Sequence, residues 1–229
     1  MLSDESGACC AQQAPPFLSA FVFTIMTART DARAAGSENG HSPASDEREL
    51  LRLSCETVGR WLLFGPEDPT ALWLPAAVAW LATGNAGESL EQLASEERFL
   101  PELQKTAYAR TCCTGREAFP LSESVFRTGL VMQELRDAAR RAYALEGFAA
   151  APGLHEPEDH LGMELLFAAH LLACGRMEAL RRFAKERLAW VQEATPLLEK
   201  LPQDAGRAAL EAAVELTNRL AASALCRTA

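Results

Sequence analysis

The chain has 229 residues, with 22 basic and 31 acidic side chains and a formal charge of −9. Its 42 Ala and 33 Leu stand against 7 Val and a single Ile, which excludes an all-β fold and argues against a parallel sheet, whose buried strands read as Val/Ile runs. A sequence pI near 5.1 argues against a nucleic-acid partner and for a basic one, and the length suits one domain with or without a tail.

Residues 1–45 read as a disordered N-terminal extension outside the fold. The apolar run 17-FLSAFVFTIM-26 is too short to cross a bilayer, and it follows Asp4 and Glu5 rather than the basic region of a secretory signal. The stretch 33-RAAGSENGHSPAS-45 is small, polar and broken by Gly and Pro. Met26 is an alternative start to Met1. A cytoplasmic protein without stable membrane insertion is expected. The seven cysteines include the adjacent pairs Cys9-Cys10 and Cys112-Cys113 and no C-x-x-C spacing, so free thiols in a reducing compartment are expected. Cys55 and Cys174 lie in apolar helical stretches and are expected to pack as small hydrophobes.

From residue 46 to the end the pattern is helical. Ser45 is placed to cap a helix opened by Asp46 and Glu47, with Leu50, Leu51, Val58, Trp61 and Leu62 on its apolar side and 65-GPEDP-69 as its end. The segment 70-TALWLPAAVAWLATG-84 reads as two short pieces or one kinked helix at Pro75, and 88-ESLEQLASEERFLPELQKTAYAR-110 as a charged helical segment restarting at Pro101. After the loop 111-TCCTGREAFP-120, residues 122–147 read as one long helix closed by Gly147, with Phe126, Leu130, Leu135, Ala138, Ala142 and Leu145 on its stripe. The stretch 149-AAAPGLHEP-157 is the clearest hinge, dividing sub-lobes 46–148 and 157–229. The helix behind it, about 157–174, is apolar on nearly all sides and therefore buried. Two amphipathic helices follow. The first carries Met177, Leu180, Ala184, Leu188, Val191 and Leu198 inward, and the second Leu210, Ala213, Thr217, Leu220 and Ala224. The expected fold is all-α, a single helical bundle around one central helix.

No dinucleotide-binding G-x-G-x-x-G, phosphate loop or nucleophile elbow is present. The segment 155-HEPEDH-160 resembles a zinc-protease motif but separates its histidines by five residues and contains Pro157, so no metal site is expected. What remains is an acidic knot: Glu156, Glu158, Asp159, His160 and Glu164. Pro157 suits the first turn of a helix, which would place the knot at the N-terminus of the buried helix. His160 and Glu164, four apart, then share its stripe. The knot reads either as helix capping or as a recognition patch of carboxylates at the mouth of an apolar groove.

These residues carry a resemblance. The segment 156-EPEDHLGMELLF-167 is similar to the E-P-x-D-H signature of the TorD/DmsD/NarJ family of redox-enzyme maturation chaperones. The segment 119-FPLSESVFRTG-129 resembles that family's Glu-Ser before an aromatic, and 183-FAKERLAWVQEATPLL-198, with Trp190 and Pro196, agrees with a later one. The similarity runs from residue 46 to about 220. It implies an all-helical TorD-like cytoplasmic chaperone, not an enzyme. Such a protein binds the twin-arginine leader, or the apo form, of a molybdenum-cofactor oxidoreductase subunit and holds it until the cofactor is inserted. It also implies that Glu156, Pro157, Asp159, His160 and Glu164, with Glu123, Ser124 and Phe126, belong to the leader- and partner-binding region. The family often has Tyr where Phe126 stands. It implies no cofactor beyond weak guanine-nucleotide binding in some members, and a monomer or domain-swapped homodimer. The client is not written in the chain. Physical reasoning adds that the apolar groove sets affinity and the carboxylates set selectivity, because burying leader side chains contributes ~1.5–3 kcal/mol each against ~0.2–1 for an exposed ion pair. The competing readings are a helical metal- or nucleotide-dependent hydrolase using Glu156, Asp159, His160 and Glu164, and a structural adaptor whose knot only caps a helix.

Overall fold

The computed structural model describes residues 43–83, 96–113, 119–150 and 154–222. The expected N-terminal extension therefore lies outside the described residues, except for Pro43–Ser45. The described residues fall within one unit, His41–Ala229. They form nine α-helices and no strand: α1 Pro43–Phe64, α2 Leu74–Thr83, α3 Pro101–Tyr108, α4 Glu123–Thr128, α5 Gln133–Leu145, α6 Leu161–Ala173, α7 Met177–Arg187, α8 Ala189–Ala194 and α9 Ala205–Ala222. No described helix is long and apolar enough to cross a membrane.

The core is built on α6, which packs between α1 and α7, while α9 closes the bundle against α1, α2, α3 and α7. Leu161, Met163, Leu165, Phe167, Ala168, Leu171 and Leu172 of α6 are all buried, as its apolar sequence requires. Leu50, Leu51, Val58, Trp61 and Leu62 of α1 are buried, with Trp61 meeting Gln104 and Tyr108 of α3. Where α1 and α6 cross, two glycines let the backbones touch. A Cβ on Gly59 would lie 2.9 Å from the Gly162 carbonyl oxygen, and one on Gly162 would lie 2.7 Å from that of Gly59 and 2.6 Å from Leu63 Cγ. No larger residue fits without moving the helices apart.

Several local expectations are corrected. Ser45 lies in the first turn of α1 rather than at its cap, because Pro43, whose fixed φ suits a helix start, already belongs to it. The single helix expected over 122–147 is two. Gly129 takes φ 76°, ends α4 and resets the phase, so α5 buries Ala139 and Tyr143 while Leu130 and Leu145 of the expected stripe stand 69% and 78% exposed. Gly147 does follow the end of α5 with φ 71°, and the Phe148 N–H returns to the Tyr143 carbonyl. The buried helix starts at Leu161 rather than at Pro157. The helix expected over 177–198 is α7, α8 and the 3₁₀ turn Thr195–Lys200, although Leu180, Ala184, Leu188, Val191 and Leu198 are buried. Cys55 is buried, and burial pushes its thiol pKa up, whereas Cys174 is exposed in the turn after α6. Pro101 starts α3 and Pro75 lies in the first turn of α2. Residue 224 and the middle of the 149–157 hinge (151–153) lie outside the described residues.

Replacing Gly162 by Ala should lower stability by about 1–3 kcal/mol, because two packed backbones cannot make room for a methyl group. Urea denaturation should show the midpoint falling with an unchanged slope.

Candidate functional site

The knot is assembled where two segments cross. Ser122, just before α4, and His160, just before α6, form an isolated antiparallel bridge. The Leu161 N–H donates to the Leu121 carbonyl at 2.6 Å, and the Glu123 N–H to that of Asp159 at 3.2 Å. Each segment starts its helix beside the other. Asp159 caps the neighbouring helix rather than its own: its carboxylate accepts from the Ser124 N–H at 2.9 Å, in the first turn of α4. His160 caps α6, with Nδ1 accepting from the Gly162 N–H at 3.1 Å. An accepting Nδ1 requires a ring protonated at Nε2 only. Burial lowers the His160 pKa to about 4, against the opposing charge of Asp159. Pro157 is not in the helix, since its carbonyl accepts from the His160 N–H and closes a turn.

Behind this crossing lies a buried ion network. Glu164 is wholly buried and accepts from the indole N–H of Trp190 at 3.2 Å. The Arg187 guanidinium pairs with Glu123 at 2.8 Å and approaches Glu164 at 3.7 Å, so one cation faces two carboxylates. It also donates to the Leu135 carbonyl. Arg127 takes the other oxygen of Glu123 at 2.8 Å. Burial holds the Glu164 carboxyl well above the ordinary carboxylate range, with Arg187 and Trp190 working against it. Phe126 is half-buried with its ring 5.8 Å from that of Trp190.

The outer part of the knot differs. Glu156 is exposed and Pro157 half-buried. Glu158 binds two guanidinium groups from one face of α5, Arg136 at 2.8 Å and Arg140 at 2.6 Å. The Tyr143 hydroxyl, one turn further, donates to the Glu158 carbonyl at 2.7 Å. Burial opposes the charge on Glu158, but the hydrogen bonds from Arg140 and Arg136 hold its carboxyl below the usual range.

Of the eight residues expected to bind a partner, Glu123, Ser124, Asp159, His160 and Glu164 are therefore brought together in the interior, and Glu156, Pro157 and Phe126 reach solvent at least in part. His155 is exposed and His160 is engaged with α6, so the 155–160 histidines do not converge. Among the described residues no group of three or more His, Cys, Asp or Glu is placed to hold a metal ion. Sequence reading missed Arg187, Arg136, Arg140 and Tyr143. The spacing of Arg136, Arg140 and Tyr143 was a usable signal for a face turned to an acid, but one drawn helix over 122–147 obscured it.

An all-α bundle built on a buried helix, with an acidic turn capping two helix starts, has the architecture of a chaperone of the NarJ/TorD type. A family model described as nitrate reductase delta subunit matches residues 81–202, more than half of the chain, and the chain belongs to this family. The family is one of redox-enzyme maturation chaperones. No curated protein and no solved structure matches the chain.

The His160 pKa has a measurable consequence. Its folded value lies below the unfolded 6.5, so below that pH the unfolded chain takes the proton first and stability falls until about pH 4. That fall corresponds to about 3 kcal/mol. Glu164 has the opposite sign, its raised pKa adding stability as pH drops. His160→Asn keeps an acceptor for the Gly162 N–H and removes the titration. Urea midpoints from pH 7 to 4 should therefore fall more steeply for wild type than for His160→Asn. Asp159→Ala should cost about 1–3 kcal/mol at pH 7 by leaving the Ser124 N–H without its acceptor.

Proposed function

We propose that this protein binds the twin-arginine leader, and the apo form, of a molybdenum-cofactor oxidoreductase subunit and holds it for cofactor insertion before export. It would act in the cytoplasm, as a chaperone rather than an enzyme and without a cofactor of its own. The observation that carries the leader reading is the double occupation of Glu158. One carboxylate at the surface of the knot already accepts two guanidinium groups presented four residues apart. Planar, delocalised guanidinium fits a carboxylate in a way that a lysine ammonium does not, so this geometry favours paired arginines over paired lysines.

The burial of the other acids narrows the reading. Asp159, Glu164 and Glu123 are committed to a helix cap, an indole and two arginines. The carboxylates within reach of an incoming leader are Glu156, which is exposed, and Glu158, by exchange with Arg136 and Arg140. An exchange of one ion pair for another adds little affinity, which leaves the apolar leader residues to supply most of it. Half-exposed Phe126, beside Trp190, is an apolar side chain of the knot region that an incoming leader could use.

The test is calorimetric titration of a synthetic twin-arginine leader and its Lys-Lys counterpart. Wild type should bind the leader and bind the Lys-Lys peptide more weakly. Glu156→Gln/Glu158→Gln should weaken leader binding by about tenfold, and Arg136→Ala/Arg140→Ala, which frees Glu158, should strengthen it. Equal binding by all three proteins would remove the knot from the site, and no binding by any of them would remove the leader from the function.

A further inference from the structure

A second surface has the opposite charge. Between α5 and α7 lies a cleft of about 240 Å³. Its floor is Phe167 and Phe183, whose rings meet edge to face at 4.8 Å, with Ala138 and Ala142 beside them. At one end stands Leu145, 78% exposed. Arg141 of α5 and Arg182 of α7 line it from opposite helices, both exposed. Neither has an ion pair or hydrogen bond among the described residues, whereas Arg136 and Arg140 of the same helix are taken by Glu158 and Arg187 by Glu123. Two acids also line the cleft. Glu146 is paired with Arg176 at 3.0 Å, and Glu186 is exposed. In a chain of charge −9, residues 176–187 hold five basic and two acidic side chains.

We propose that this cleft docks an acidic polypeptide segment, which seats one large apolar side chain on the Phe167–Phe183 floor and sets its carboxylates on Arg141 and Arg182. Size and charge select this occupant. Small-molecule sites run to roughly 300–1,000 Å³, so a smaller cleft suits an anchoring side chain better than a whole ligand. Recognition of an anionic membrane takes clusters of about 4–8 basic residues, and the rim offers two uncommitted guanidiniums. A groove between two helices, apolar at the bottom and charged at the edge, is the form that receives an amphipathic helix. None of residues 156–164 lines the cleft, so the inference stands apart from the leader reading.

The experiment uses the full chain and two helical peptides of about 15 residues with identical apolar positions, one with Glu and one with Lys at the others. Fluorescence anisotropy should show wild type binding the Glu peptide at least about tenfold more tightly than the Lys peptide at low salt, with the difference shrinking at high salt. Arg141→Glu/Arg182→Glu should reverse the preference, and Leu145→Asp should weaken binding of the Glu peptide. All three positions are exposed, and unchanged thermal unfolding will confirm that the variants fold. The proposal is overturned if wild type does not prefer the Glu peptide, if the charge reversal leaves that preference intact, or if the protein ignores both peptides and sediments with phosphatidylserine vesicles. Twin-arginine leader binding, measured on the same variants, should not be weakened by the charge reversal. That separates failure of this inference from failure of the leader reading.

Discussion

The crossing of residues 121–124 with 159–161 is the constraint on which the rest depends. A helix begins with backbone N–H groups that have no partner within it, and a buried helix start must find acceptors elsewhere. Here α4 and α6 solve the problem for each other, across 35 residues of sequence, through Asp159 and the Ser122–His160 bridge. Asp159 could not be buried otherwise, since an unpartnered carboxylate in an apolar interior is too costly to keep charged. Once the two starts are joined, Glu123 and Glu164 face the same region, and Arg187 of α7 can serve both. The crossing thus fixes the relative positions of α4, α6 and α7, and through Trp190 that of α8.

The same device divides the acidic knot into an interior and an exterior. Asp159 and Glu164 are internal, whereas Glu156 and Glu158 sit on a turn whose following residues are held by the bridge, the cap and the Tyr143 hydroxyl. Glu158 is held there by its own ion pairs to Arg136 and Arg140 and by the Tyr143 hydrogen bond to its carbonyl, so the turn is ordered by its own contacts as well as by the residues that follow it. Capping is then the role of the inner layer, and ion pairing with α5 that of Glu158 in the outer one.

How much of this was legible follows from the range of the interactions involved. The all-α class, the buried central helix and the inward positions of α1, α7 and α9 rest on composition and on the 3.6-residue period, which are local. The acidic knot was recognised as a unit because its members are adjacent in sequence. The break at Gly129 was missed because the apolar residues on either side of it keep a plausible helical spacing. The helix start was misplaced at Pro157 because a proline at N1 and one in the turn before a cap read alike. Arg187 was assigned to no role because its two carboxylates lie 64 and 23 positions away. No pattern within α7 distinguishes it from Arg181 or Arg182.

The buried network has to be weighed for what it can contribute. One guanidinium facing two carboxylates, one of them pushed toward its neutral form by burial, is not an arrangement that gains much stability. Buried ion pairs often do no better than well-packed apolar side chains of the same volume. Its worth is geometric. Glu164 accepts the Trp190 N–H, and the indole thus positioned packs against Phe126 at the edge of the knot. Arg187 also holds the loop end of α5 through the Leu135 carbonyl, with the Leu130–Met132 stretch exposed just before that helix. The interior charges therefore act by placing an aromatic edge and a helix start, and leave Glu158 to the arginines of α5 and Glu156 to solvent.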